Sequence, residues 1–381
     1  MRKAFLYRLY VNKIQSNKLD NLLDVARNLY NAALQERRDA YKMQGVSLNY
    51  YAQASELKGL RESLPEVAQL NFSATQDMLR RVDKSFKAFF RRIKNGEKPG
   101  YPRFKGRDRF NSVTFPTYGD GIKIKDNRLY IQNVGLVKIK MHRFLEGKIN
   151  TITLKREYGK WYAVFSNSVD IEPLLVSNNQ VGIDVGLEFF AVTTDGEYIA
   201  NPHYLKVSQS RLRVAQRKVT RRKKGSNNRR KAVKLLAKQH LKIKNQRNDF
   251  LHNKANDIVK AYGYIAVEDL KIRNMVRNHH LARSISDASW GRFLGILSYK
   301  AEWAGRTFTQ VNPNGTSQIC SVCGFKVSKD LSVRIHNCRN CGASLHRDFN
   351  AALNILALGR RVWGITWENT PSVSQEAVCF S

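Results

Sequence analysis

An acid set inside an apolar strand constrains this chain more than any other feature. Val181 to Gly186 reads V-G-I-D-V-G, and a second apolar run follows at Phe189 to Thr194. Side chains alternate along a strand, so Ile183 and Val185 face one way and Asp184 the other. A carboxylate buried there is costly unless something pairs with it, and a metal ion is the usual partner. Asp195-Gly196 then makes a tight hairpin turn into a third short strand, Glu197 to Ala200. The same pattern also fits a surface aspartate on an edge strand. Whether matching acids follow decides between the two.

They do follow. A helix from Phe250 to Tyr262 feeds an apolar strand, Tyr264 to Val267, that ends in Glu268-Asp269-Leu270. By alternation, only one of those two acids looks into the cleft that Asp184 faces. Asp348 stands at the first turn of a helix carrying Ala351, Ala352, Ile355 and Leu356, where on its own it reads as an N-cap. A strand, a strand and a helix that each supply an acid make an RNase H-like set. Three converging carboxylates can hold two Mg²⁺ ions about 3.5–4 Å apart and stabilise the attacking and leaving oxygens at a phosphodiester.

Cys320-x2-Cys323 and Cys338-x2-Cys341 are two pairs at the spacing of a structural zinc ribbon. With four thiolates on one Zn²⁺, no position is left for catalytic water, and His336 and His346 are not needed as ligands. The fifth cysteine, Cys379, has no readable role.

Lys and Arg total 66 against 31 acids, a net charge of +35, which points to a polyanionic partner such as nucleic acid. Between Lys206 and Arg247 there are seventeen basic residues and no acid. Arg221, Arg222, Lys223, Lys224, Arg229 and Arg230 fall at the turn between two long helices, and a nucleic-acid-binding hairpin is favoured over a merely solvated face. No apolar run of about 18 residues is present, so no membrane partner is expected. The first residues lack a signal-peptide core, so a cytoplasmic, nucleoid-associated protein is expected.

The 381 residues allow two or three domains. Residues 3 to 11 alternate as a strand. Helical periodicity sets in from Asn17, returns near Ala52 to Glu62, and runs again from Ala68 to Ile93. Phe72, Phe86, Phe89 and Phe90 on the last helix read as bundle core in preference to base-stacking groups. Glycine, proline and basic residues at 91–105 break that helix and suit phosphate contact. Strands are expected at 129–132, 135–140, 151–156 and 161–166. Asn278 to Ser289 reads as a loop, with Ser286 or Asp287 capping the helix that follows, and Arg306 to Val311 as a strand.

With these motifs in place the sequence resembles the TnpB family, transposon-encoded RNA-guided DNA nucleases related to the type V CRISPR effectors. The stretches that carry the resemblance are Val181–Gly186, Val267–Leu270, Ile285–Gly291, the four cysteines, His346–Asp348 with Asn350–Asn354, and Phe89–Arg91 to Tyr101–Phe104. It spans roughly residues 3 to 358. It implies a multidomain α+β protein. Residues 1–16 and 101–172 would form a small wedge-like β-barrel, with a helical recognition domain (17–100) inserted. Residues 180–361 would form a RuvC (RNase H-like) α/β nuclease domain with a zinc ribbon at 316–345; the tail at 362–381 has no counterpart in the family and is expected to be disordered.

By the same resemblance Asp184, Glu268 and Asp348 are the catalytic, Mg²⁺-binding triad, Glu268 being preferred to Asp269. Tyr50 and Gln76 approach the duplex beside the target, and the partners are a guide RNA from the transposon end and double-stranded target DNA. One chain would carry a complete active site, enough for a monomer. The rival expectations are a guide-dependent repressor that binds without cutting, an RNA-independent transposase or resolvase, and a non-enzymatic zinc-ribbon RNA-binding protein.

Overall fold

The computed structural model describes residues 1–330 and 333–364, apart from the side chain of Asp108, and the chain divides into two compact units between Asp170 and Ile171. Cys379 and the expected tail beyond residue 364 lie outside the described residues.

The first unit opens with strand β1 (Arg2–Tyr10), whose Phe5, Tyr7 and Leu9 are buried in alternation with more exposed neighbours. Asn12 and Gln15 then form a reciprocal capping box that starts helix α1 (Lys13–Gln44), ahead of the apolar stripe that marks it in sequence. Short helices α2 (Tyr50–Ser55), α3 (Leu57–Ser63) and α4 (Pro65–Ala68) lead to α5 (Phe72–Lys94), which Asn71 caps. Ala74, Met78, Leu79 and Val82 are the apolar residues α5 buries, and no residue after Val82 is buried. The expected aromatic core therefore does not form: Phe86 and Phe89 are half-buried, while Phe72 and Phe90 are 42% and 58% exposed. The stripe has helical spacing, but it runs past the part of the helix that has something to pack on.

After the helices come β2 (Ser112–Phe115), β3 (Ile122–Lys125), β4 (Arg128–Ile131), β5 (Gly135–Lys140), β6 (Lys148–Glu157) and β7 (Lys160–Ser168). With β1 they make an antiparallel sheet ordered β2-β6-β7-β1-β5-β4-β3. The expected barrel is not closed. Its two edges, β2 and β3, are four residues each and do not pair, which leaves a half-barrel.

The second unit contains β8 (Gln180–Asp184), β9 (Phe189–Thr193), β10 (Tyr198–Ala200), α6 (Tyr204–Thr220), α7 (Asn227–Ala261), β11 (Tyr264–Glu268), α8 (Ile272–Met275), α9 (His279–Ala288), α10 (Trp290–Trp303), β12 (Thr307–Val311), β13 (Ile335–Asn337), β14 (Ser344–His346) and α11 (Arg347–Val362). Its main sheet runs β10-β9-β8-β11-β12, with β8, β11 and β12 parallel. The odd residues Val181, Ile183, Ile265 and Val267 join a core with Leu251, Ile258, Phe293 and Leu297 from α7 and α10. The even residues Tyr264 and Ala266 join Ile355 and Leu356 of α11. Alternation thus gives α11 its own face of the sheet, and Gly182, Asp184 and Glu268 have the parity of that face.

Two expectations fail in this unit. Residues 278–289 are not a loop: α9 forms there, capped by Asn278 and burying Ile285 and Ala288. Ser286 and Asp287 do not cap α10 either, whose N-cap is Ser289 with no side-chain bond. Asp287 instead accepts from the Leu205 amide at the start of α6 (3.1 and 3.2 Å) and from Arg247 Nη2 (2.6 Å). The helix expected from Phe250 is the second half of α7, which is continuous from the basic turn. The expected tail also begins with order, because Trp363 stacks on Tyr264 at 5.1 Å.

Candidate active site and nucleic-acid interface

Asp184 and Glu268 are the last residues of β8 and β11, neighbouring parallel strands whose register pairs Ile183 with Val267. The two acids therefore leave the carboxyl edge of the sheet side by side, where open α/β sheets bind ligands. Asp348 reaches the same place from the first turn of α11 and lies beside Gly186, where a Cβ would be 3.7 Å from Asp348 Oδ2, an ordinary contact. His346, not Asp348, is the N-cap, its Nδ1 accepting from the Asp348 amide at 3.3 Å. Asp269 is exposed, whereas Glu268 and Asp348 are only 9% and 4% exposed.

Burial, then the negative charges of Glu268 and Asp348, hold the Asp184 carboxyl well above the usual range for aspartate. Burial raises Glu268 as well, against a 2.5 Å hydrogen bond from Thr316 Oγ1 that favours its charged form. Arg347 Nε donates to Asp348 Oδ1 at 3.0 Å. Carboxylate oxygens that repel one another in a poorly solvated edge suit a hard divalent cation, which relieves the repulsion and takes oxygen ligands. Among the described residues the cysteine quartet alone forms a close ligand group, its four sulfurs all within 4.8 Å of one another. The acids are in electrostatic range but stand further apart.

In that quartet Cys320 Sγ lies 3.7 Å from Cys341 Sγ and Cys323 Sγ 3.5 Å from Cys338 Sγ. The Asn340 side chain and the Phe325 amide pull Cys323 down to about 6, so one thiolate is ready near neutral pH. His336 is fully buried, with Nδ1 2.6 Å from Lys329 Nζ, and is not part of the sulfur group. Asn350 and Asn354 lash this segment to α11. Asn350 Nδ2 donates to Ile319 O (2.8 Å) and its Oδ1 accepts from the Ser321 amide (2.9 Å), while Asn354 Nδ2 donates to Thr316 O and Ile319 O (2.8 and 2.6 Å). Neither Thr316 nor these tethers stands out in sequence; the one signal for Thr316 is its place in a Pro313-Asn314-Gly315 turn.

Tyr50 and Gln76 are half-buried and line one groove of about 680 Å³ with Arg80, Lys84 and Lys87. Arg80 sits over the Tyr50 ring at 5.2 Å. At the tip of the α6–α7 hairpin Arg221, Arg222, Lys223, Lys224 and Arg230 are exposed. Arg229 is half-buried and partly committed, its Nη1 donating to Val219 O (2.8 Å) and Arg222 O (3.1 Å) at the end of α6.

Models of transposase-associated families match this chain and give its class. A probable-transposase model of the IS605 OrfB type matches residues 163–279, a Cas12f1-like TNB domain matches 290–355, and an OrfB helix-turn-helix model matches 1–45. That last stretch is here a strand and one 32-residue helix. The chain is 32% identical to a putative RNA-guided DNA endonuclease of Streptomyces pristinaespiralis, over 94% of this chain and 90% of the relative. It is 28% identical to the putative RNA-guided DNA endonuclease InsQ of Escherichia coli K12, over 94% and 93%. The chain belongs to the TnpB (IS605 OrfB) family. Its fold resembles that of the mini-RNA-guided endonuclease CRISPR-Cas_phi3, with a TM-score of 0.52, 8% identity, and coverage of 94% of this chain and 92% of that one. No helix among the described residues is long and apolar enough to cross a membrane.

Proposed function

We propose that this protein is an RNA-guided DNA endonuclease of a transposable element, cutting target DNA beside a short adjacent motif. The observation that carries the reading is that Asp184, Glu268 and Asp348, from three distant segments, come within electrostatic range of one another at the carboxyl edge of one mixed sheet. Asp184, Glu268 and Asp348 would hold the Mg²⁺ ions. When bound, these supply charge stabilisation to the attacking and leaving oxygens of the scissile phosphodiester.

The chain's own groups prepare that edge. A bound cation would offset the burial and neighbouring negative charge that raise the Asp184 carboxyl, Thr316 donates to Glu268 and favours its charged form, and Arg347 donates to Asp348. Cys320, Cys323, Cys338 and Cys341 hold one structural Zn²⁺, which fixes the segment carrying Thr316. Arg221, Arg222, Lys223, Lys224 and Arg230 grip nucleic-acid phosphates. The guide reads sequence by pairing, and the Tyr50–Gln76 groove faces the duplex beside the target.

The test is to purify the protein from cells carrying its native flanking sequence, reprogram the co-purified RNA, and assay Mg²⁺-dependent cutting of a plasmid library randomised beside the target. Guide-dependent cuts are expected, and Asp184→Ala should bind without cutting. Cutting without RNA would replace the guided reading with a resolvase-like one. Wild-type binding with no cutting would favour a repressor.

A further inference from the structure

The far end of α5 carries a feature that the cleavage chemistry does not use. Phe86, Phe89, Phe90 and Tyr101 meet ring to ring: Phe86 stacks on Phe90 at 6.4 Å, and Tyr101 stands edge-on to Phe86 at 5.8 Å and to Phe89 at 5.4 Å. They line a cavity of about 450 Å³, within the size of small-ligand pockets. Phe90 is 58% and Tyr101 47% exposed, so the rings show faces to the outside rather than to a core.

Arg37 lines the same cavity and is only 6% exposed. Its Nε donates to Gln53 Oε1 (2.7 Å) and its Nη1 to Asp83 Oδ1 (3.3 Å), while Nη2 is buried with no hydrogen-bond partner among the described residues. An unsatisfied buried donor is costly, and guanidinium groups are rarely left so. The surrounding helix end is basic, with Arg91, Arg92 and Lys94 all exposed.

We infer that this cavity takes an unpaired base of the bound RNA. A nucleobase has two π faces for the rings and a phosphate on either side for the cations, and a shift of the lining side chains would bring its carbonyl or ring nitrogen to the unpartnered Arg37 Nη2. RNA is the source because its loops carry unstacked bases before any target is engaged, whereas DNA bases become unpaired only after the guide has opened the duplex. This rests on the proposal that the protein binds a guide RNA. The pocket would lock the RNA scaffold in one register on the first unit by holding a single extruded nucleotide.

The test pairs Phe90→Leu, which keeps the apolar bulk of an exposed residue but removes the ring, with Phe90→Trp, which restores one. Melting temperatures confirm folding. Affinity for the co-purified RNA is measured at fixed salt, and chemical probing of unpaired bases is run on free and bound RNA. Loss of one stacked base weakens binding about 5- to 150-fold. The Leu variant should show that loss together with new reactivity at one unpaired base, and the Trp variant should reverse both. Unchanged RNA affinity and protection in Phe90→Leu would overturn the proposal, as would a loss confined to target-DNA binding, which would assign the pocket to DNA. A wild-type protein that binds no RNA would instead overturn the guided function itself.

Discussion

Gly182 sets how closely α11, and so Asp348, approaches the strand that carries Asp184. A Cβ at residue 182 would overlap the Ala352 carbonyl oxygen and come within 2.8 Å of Leu356 N and 2.9 Å of Leu356 Cβ. Carbon contacts settle at about 3.5–4.0 Å, so Gly182→Ala drives α11 away from the sheet by roughly 1 Å. Overpacking of this kind costs about 1–3 kcal/mol, and each kcal/mol lowers the melting temperature by about 2–4 °C in a unit of this size. Ala352 lies one turn along α11 from Asp348, so the same shift moves a carboxylate out of place. A displacement of about 1 Å at a catalytic group lowers rate on the order of 10²-fold.

Gly359→Ala is the control. Its Cβ would meet Ala266 Cβ at 2.7 Å and Tyr264 OH at 2.8 Å, but at the far end of the helix from Asp348. Both variants should melt lower and bind nucleic acid as wild type does, while Gly182→Ala loses far more cleavage than Gly359→Ala. Thermal melts and single-turnover cleavage at saturating Mg²⁺ decide it. A Gly182→Ala protein that melts and cuts like wild type would refute the close-packing argument.

Asp184→Asn should raise the melting temperature in chelator at pH 7–8. A folded-state carboxyl pKa above the unfolded value penalises folding once the pH exceeds it, by about 1.4 kcal/mol per unit of elevation. Replacing the acid removes that penalty, and the advantage should shrink as pH falls toward the ordinary aspartate range. A gap that ignores pH would show that burial and the neighbouring acids do not raise the Asp184 carboxyl. Thr316→Val deletes the hydrogen bond that lowers the Glu268 pKa, so the acid limb of the cleavage pH profile should move to higher pH, with little effect at high pH. An unmoved limb with uniformly lower rate would mean that Thr316 acts on structure alone. Cys320→Ser should abolish a one-to-one zinc content, measured by metal analysis, and lower cleavage more than nucleic-acid binding. Full cleavage without zinc would separate the cysteine segment from the acids.

Asp184 was legible because an acid among the apolar residues of a strand fixes both a face and a cost, whereas at Glu268-Asp269 alternation left two candidates and the family resemblance supplied the choice. The cysteines were legible by spacing alone. Periodicity failed where it had to report on something outside its own segment. The phenylalanines of α5 have the spacing of a packed face, yet nothing in the helix says that its partners stop at Val82. Closure of the sheet depends on β2 and β3 meeting, a pairing between segments that no local pattern encodes. In α9, Ile285 and Ala288 form too sparse a stripe among polar residues to announce a helix, and the bonds of Asp287 to Leu205 and Arg247 link residues 82 and 40 positions apart.

The supporting donors belong to the same category, and they join what the sequence shows as two separate motifs. Thr316 bonds Glu268 through its side chain, and its carbonyl accepts from Asn354 of α11, two turns along from Asp348. The same asparagine, with Asn350, holds Ile319 next to the first cysteine. A path of hydrogen bonds through Ile319, Asn354 and Thr316 therefore ties the chain beside Cys320 to Glu268, and the same asparagines sit on the helix that carries Asp348. Its members come from a loop and one face of a helix, so neither a strand period nor a cysteine count could have revealed it. On that path the four-cysteine segment acts as the clamp that sets α11 against the loop carrying Thr316, and its loss should reach the carboxylates before it reaches the rest of the sheet.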